Sequence, residues 1–201
     1  MLASISPVGE ASRHQRWSIT ISAYLLASAV GGILIGGLLG GVGSLVGVTA
    51  LPAGWLLALI AVASALGAAI DAGWIDVPLP SWHRQVDERW LTTYRGWVYG
   101  AGYGLQLGVA VVTIITSAVT YAALLAALLV GSVRAGAVIG ATFGIVRAVP
   151  LLLTAPVRTP QRLRRLHAGI ATAARPVERV TVAAQLGAAM ITGTLAATVG
   201  V

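Results

Sequence analysis

Two charges lie where charge is costly. Arg147 stands in Phe143-Gly144-Ile145-Val146-Arg147-Ala148-Val149-Pro150, and Asp71 falls within an apolar run that begins near Trp55. A charge near the bilayer centre costs at least ~2.5 kcal/mol on insertion scales, so each must face protein or water and find a partner. Their similar expected depth makes each the natural partner of the other. Such a pair could form an anion site or a gate. It could equally be a structural ion pair, or Arg147 could snorkel to the interface. Pro150 has no N–H to donate, which frees a carbonyl close to Arg147 for a partner or a bend.

A second set of polar residues lies in the stretch that follows. Tyr99, Tyr103, Gln106, Thr113, Ser117 and Thr120 recur at helical spacing and would share one helix face. That face either lines a polar path or bonds to neighbouring helices, where each bond contributes only about 0.6 kcal/mol on average. Gln106-Leu107-Gly108 with Thr113 returns later as Gln185-Leu186-Gly187 with Thr192, and Arg16 to Tyr24 returns at the same offset as Arg95 to Tyr103. The recurrence predicts that both polar helices face one shared interior.

Other chemistry is thin. His14, His83 and His167 lie in basic segments without ligand spacing, so no metal site is expected. There is no cysteine, which excludes disulfides, thiolate metal sites and a thiol relay. No nucleophile–base arrangement, phosphate loop or zinc motif is visible, and no cofactor is expected.

The elements that must position these residues are membrane helices. Hydrophobic residues make up 57% of the chain and charged residues only 9%. Soluble domains carry roughly 25% charged residues, and several apolar runs here exceed the roughly 18 residues that mark a span. The expected fold is all-α: a polytopic membrane helix bundle in one integral membrane domain over 1–201. It has about five transmembrane helices, near 17–41, 55–77, 98–129, 135–155 and 180–201. The third has residues to spare and could tilt or break.

Every basic residue among the 13 is arginine. Most lie before the first span, between the second and third, or between the fourth and fifth. By the positive-inside rule this predicts a cell (inner) membrane protein with a cytoplasmic N-terminus and the C-terminus outside. A net charge of +7 then points to anionic headgroups rather than nucleic acid. Odd spans are entered from segments bearing acid and arginine, as in Glu10 to Arg16. This predicts a tandem two-span repeat with units near 10–88, 89–167 and 174–201, parallel rather than inverted.

Smaller features complete the picture. Segments 81–90 and 161–174 read as interfacial amphipathic helices that start at Pro80 and Pro160. Trp17, Trp55, Trp74 and Trp97 sit near span ends, as belt residues do. Gly32-x-x-x-Gly36-x-x-x-Gly40 gives a flat groove for close helix packing, within the bundle or between protomers.

The segment Gly144-Ile145-Val146-Arg147-Ala148-Val149-Pro150-Leu151-Leu152-Leu153 resembles the Gly-x-x-Arg-x-x-Pro-Leu helix of the CcdA/DsbD-like membrane thiol-electron carriers of cytochrome c maturation. The resemblance covers this short segment only. It implies a small Gly-rich bundle that moves reducing equivalents outward. The paired intramembrane cysteines of that family are absent here, so it would imply a redox-silent relative moving something else.

The residues point first to a small-molecule or ion transporter, alone or as a homo-oligomer. Its expected path runs along Tyr103, Gln106, Thr113, Ser117, Gln185 and Thr192, with a charge site at Arg147 and Asp71. The alternative is a non-enzymatic accessory subunit of a larger membrane complex. An enzyme acting on a lipid or quinone ranks last.

Overall fold

A computed structural model describes residues 5–80, 89–111 and 115–200. Among these the regular structure is helical throughout, with no strand. The helices are α1 (Pro7–Ser12), α2 (Trp17–Leu45), α3 (Ala53–Asp71), α4 (Trp90–Thr93), α5 (Gly96–Val109), α6 (Val119–Leu129), α7 (Val133–Ala148) and α8 (Pro160–Val199). Short 3-10 turns occupy Val48–Ala50 and Val149–Thr154. Four stretches are long and apolar enough to cross a membrane: Trp17–Leu45, Ala53–Asp71, Val133–Thr154 and Pro160–Val199. In hydrocarbon every backbone polar group must be satisfied internally, so an apolar chain of this kind is a membrane helix bundle.

The expected third span is where the structure departs from the sequence reading. One helix over 98–129 would have carried the whole polar stripe on one face. Instead the chain forms α5 of 14 residues and α6 of 11, each too short to cross alone. The run between them, Ala110-Val111-Val112-Thr113-Ile114-Ile115-Thr116, is dense in β-branched residues, which lose side-chain freedom in a helix. Tyr99, Tyr103 and Gln106 therefore lie on α5, Thr120 lies on α6, and Ser117 lies before α6. Thr113 lies outside the described residues, as does most of the expected interfacial segment 81–90. The second such segment, 161–174, is continuous with the expected last span, because α8 is one helix of 40 residues with Pro176 inside it.

Two compact units emerge. The first comprises Met1–Ile35, Trp82–Ile114 and Ala141–Ala173; the second comprises Gly36–Ser81, Ile115–Gly140 and Ala174–Val201. Neither unit follows the expected boundaries 10–88, 89–167 and 174–201: the first draws on the first two stretches and the second on all three. The starts of α2 and α5 keep the offset of the sequence echo, and those of α3 and α7 keep it within one residue.

Glycines set the packing inside each unit. In the first, α5 presents Gly100, Gly104 and Gly108 to the backbone of α2. A Cβ at these positions would stand 2.6 Å from the Thr20 carbonyl oxygen, 2.1 Å from that of Tyr24 and 2.1 Å from that of Ser28. The Ser28 hydroxyl donates to the Gly144 carbonyl of α7 at 2.8 Å. Ile5, Ile21, Tyr24, Tyr99, Tyr103, Ala148 and Leu151 form the core around this crossing.

In the second unit, Gly36 and Gly40 of α2 meet α7. Added Cβ atoms there would stand 2.1 Å from the Gly136 carbonyl oxygen and 2.2 Å from that of Ser132. Gly32 belongs to the first unit, where its N–H lies beside Gly108. The groove expected at Gly32, Gly36 and Gly40 is thus filled by helices of the same chain. Such contacts bring backbones close enough for Cα–H···O approaches, which add modestly to packing without any apolar driving force between helices.

Candidate functional site

Asp71 is the last residue of α3, an awkward place for a carboxylate. The negative end of the helix dipole disfavours an anion there. The helix stops at Ala72 and Gly73, with Gly73 at φ 71. Gly73 N–H bonds to the Ile70 carbonyl, and Trp74 N–H to that of Ala69 at 2.9 Å. This is a Schellman end, which suits glycine because no Cβ opposes the left-handed backbone.

Compensation for the charge comes from the far side of the helix break. The Ala118 N–H donates to Asp71 Oδ1 at 2.9 Å, and the Ser117 hydroxyl to Oδ2 at 2.7 Å. Asp71 thereby caps the N-terminus of α6, where unsatisfied N–H groups and a positive dipole end favour a carboxylate. Gln185 of α8 completes the set, donating from Nε2 to Oδ2 at 2.6 Å. Asp71, Ser117 and Gln185 lie far apart in sequence; the structure brings them together within the second unit.

This carboxylate has neutral donors around it and stays half-buried. It lines a cavity of about 590 Å³ with Ser117, Thr116, Glu178, Thr181 and apolar side chains including Val77. Gln185 is 5% exposed, and its Oε1 has no hydrogen-bond partner among the described residues. The amide fits only because position 67 is glycine: a Cβ there would stand 2.5 Å from Oε1. Thr192, further along α8, turns its hydroxyl back to the Ala188 carbonyl of its own helix at 2.7 Å.

Arg147 lies in the first unit with partners of its own. It sits in the last turn of α7, where the dipole favours a cation. Its Nη1 donates to the Leu107 carbonyl at 3.1 Å, in the last turn of α5, and its guanidinium lies 5.4 Å from the Phe143 ring centroid. The helix break thus leaves a carbonyl end answered by an arginine and an N–H end answered by an aspartate. The two charges expected to pair fall in different units, and each has polar partners inside its own.

The end of α5 is also strained. Ala110 has φ 66 and ψ −52, and Val111 N–H bonds to the Val109 carbonyl at 2.7 Å. This is the γ-turn of positive φ, the rarer and more strained hand. Tyr103 is buried in the core and stacks on Trp90 with ring centroids 6.0 Å apart, while Gln106 is half-buried on α5.

Glu10 is the residue that composition conceals. As one of the acids in a charged lead-in it looks solvated, yet its side chain is fully buried. It accepts from Arg13 at 2.8 Å, from the Thr20 hydroxyl at 2.6 Å and from the Tyr99 hydroxyl. Partial burial works against the Arg13 charge, but bonds and attraction from Glu10 and Tyr99 outweigh it and raise its pKa. The only available signal in the sequence was the scarcity of acids: 6 in the whole chain.

Compared with protein-family models, with curated proteins and with solved structures, the chain matches none of them significantly.

Proposed function

We propose that the protein is a small-molecule or ion transporter whose solute passes the Asp71–Ser117–Gln185 cluster. The observation that carries this reading is a half-buried carboxylate at the N-terminal end of a broken helix, on the wall of a cavity. Interrupted membrane helices expose backbone polar groups where they line a cavity, and transporters use such ends to hold ions and solutes. Two carboxylates, Asp71 and Glu178, with three hydroxyls and apolar walls suit a small cation or a protonated amine. Asp71 supplies the carboxylate, Ser117 and Gln185 orient it, and the Ala118 N–H at the start of α6 donates to it. The arginine distribution supports an orientation with the N-terminus in the cytoplasm and the C-terminus outside, which requires an odd number of crossings.

The test is flux into liposomes holding the purified protein, with monovalent cations, a protonated alkylamine and chloride as solutes. Asp71→Asn keeps the shape of the side chain and removes its charge. Loss of most cation or amine flux, in a variant that elutes and melts like wild type, is the expected result. Undiminished flux in Asp71→Asn would remove this residue from the path.

A second reading, an accessory subunit of a larger membrane complex, draws on α8. Only 11% of its most apolar window is buried within the chain. Co-purification with a foreign partner at fixed ratio, together with no flux by the isolated chain, would favour that reading.

A further inference from the structure

A cavity of about 280 Å³ in the first unit is lined by His14, Gln15, Arg16, Thr20, Arg95 and Trp97, with Ile19 beside them. Arg16 and Arg95 are equivalent positions of the sequence echo, the residues immediately before α2 and α5. The two echoed positions therefore put two arginines on the lining of one cavity, at the start of two helices. Neither forms an ion pair among the described residues, where the one salt bridge is Arg13 with Glu10. Glu10, which shares Thr20 with the cavity, is buried and taken up by Arg13, Thr20 and Tyr99. The Thr20 hydroxyl on the cavity wall is turned toward Glu10, and Gln15 Oε1 accepts the Gly96 N–H at 3.0 Å. Among the described residues no acid pairs with the positive charge on this cavity.

We propose that this cavity binds a phosphate group, supplied by an anionic phospholipid of the surrounding leaflet. Guanidinium groups match phosphate oxygens in a bidentate fork, and helix N-termini favour anions. Arg16 immediately precedes a candidate membrane span, which puts the cavity at headgroup level, and Trp97, 54% exposed, is the aromatic residue expected at that depth. The inference is independent of transport, since it uses none of the residues around Asp71.

The test is thermal stabilisation of the detergent-purified protein, titrated with phosphatidylglycerol, with phosphatidylcholine and with inorganic phosphate. Native mass spectrometry counts the lipid retained. Wild type is expected to retain and be stabilised by phosphatidylglycerol over phosphatidylcholine. In Arg16→Gln/Arg95→Gln the apparent affinity should fall by roughly thirtyfold, the loss of two arginines at a charged surface. A charge-matched control, Arg164→Gln/Arg165→Gln, should keep the preference.

Stabilisation by inorganic phosphate at similar affinity would uphold the phosphate site and make its source soluble. Equal loss in both double variants would overturn the site in favour of net charge. Equal response to the two lipids, with none to phosphate, would overturn it outright. If Arg16→Gln/Arg95→Gln fails to fold, wild type still decides: phosphate that displaces retained phosphatidylglycerol upholds the site, and lipid indifferent to phosphate counts against it.

Discussion

Glu10 and Asp71 are the same chemistry set in two different ways. Each is a carboxylate that accepts three hydrogen bonds from three residues. Glu10 is fully buried and has a cation among its donors. Asp71 is half-buried, has a backbone N–H, a hydroxyl and an amide among its donors, and borders a cavity. A buried carboxylate with a paired arginine is finished: its charge is spoken for, and what it contributes is the join between α1, α2 and α5. A carboxylate held by neutral dipoles keeps its charge on offer. The contrast makes Glu10 a fastening and Asp71 the candidate site, although the sequence alone favours Asp71 only by its apolar surroundings.

The largest effect that would sharpen or break this contrast is at Glu10. Glu10→Ala takes the acceptor from the buried Thr20 and Tyr99 hydroxyls and from Arg13, whose side chain is 23% exposed. Two buried hydroxyls left without an acceptor cost about 3 kcal/mol together, and the partly exposed Arg13 adds little because water reaches it. Unfolding by heat or denaturing detergent should show that loss, with α1 released first as new protease sensitivity near residue 10. If Glu10→Ala keeps wild-type stability while Asp71→Asn unfolds the protein, the two roles are reversed.

A smaller effect is expected at Gly67, which gives the Gln185 amide its room. The Cβ of Gly67→Ala would overlap Oε1, and the yielding group is the far end of a side chain rather than backbone. Gln185 should then swing away and leave Asp71 with two donors, at a cost of about 1 kcal/mol. Flux should change more than stability, because the fold keeps its backbone contacts. If Gly67→Ala changes stability alone, Gln185 is a packing residue and the cluster reduces to Asp71 with Ser117.

How much of this could be read from the chain depends on what each feature needs. The membrane class follows from solvation alone, since apolar runs of that length with so little charge have one solvent to live in. The candidate site was legible residue by residue: Asp71, Ser117 and Gln185 are polar where polarity is costly. Their meeting was not, because it depends on a helix break that hydropathy does not register; 98–129 is apolar on both sides of it. The glycine ladder of α5 was legible in principle, as Gly96, Gly100, Gly104 and Gly108 recur every fourth residue. It hid in a chain with 25 glycines, where the ladder at Gly32, Gly36 and Gly40 was the more conspicuous. Glu10 could not be found by pattern, because burial of a lone acid depends on three donors arriving from different elements.

The smallest expected effect tests whether the helix break is itself strained. Ala110 is fully buried with φ 66, a left-handed value that disfavours a Cβ by roughly 1–2 kcal/mol. Ala110→Gly removes that penalty. It also removes a buried methyl, a loss of roughly 0.8 kcal/mol, and adds unfolded-state freedom costing roughly 0.4–1 kcal/mol. The three terms nearly cancel, so stability should stay within about 0.5 kcal/mol of wild type. Ala127→Gly is the control, because Ala127 is as deeply buried but sits inside α6. There the methyl and helix-propensity terms add, and the loss should approach about 2 kcal/mol. Equal losses at the two positions would show that Ala110 sits as comfortably as any helical alanine, and that the break between α5 and α6 is held by its caps rather than against strain.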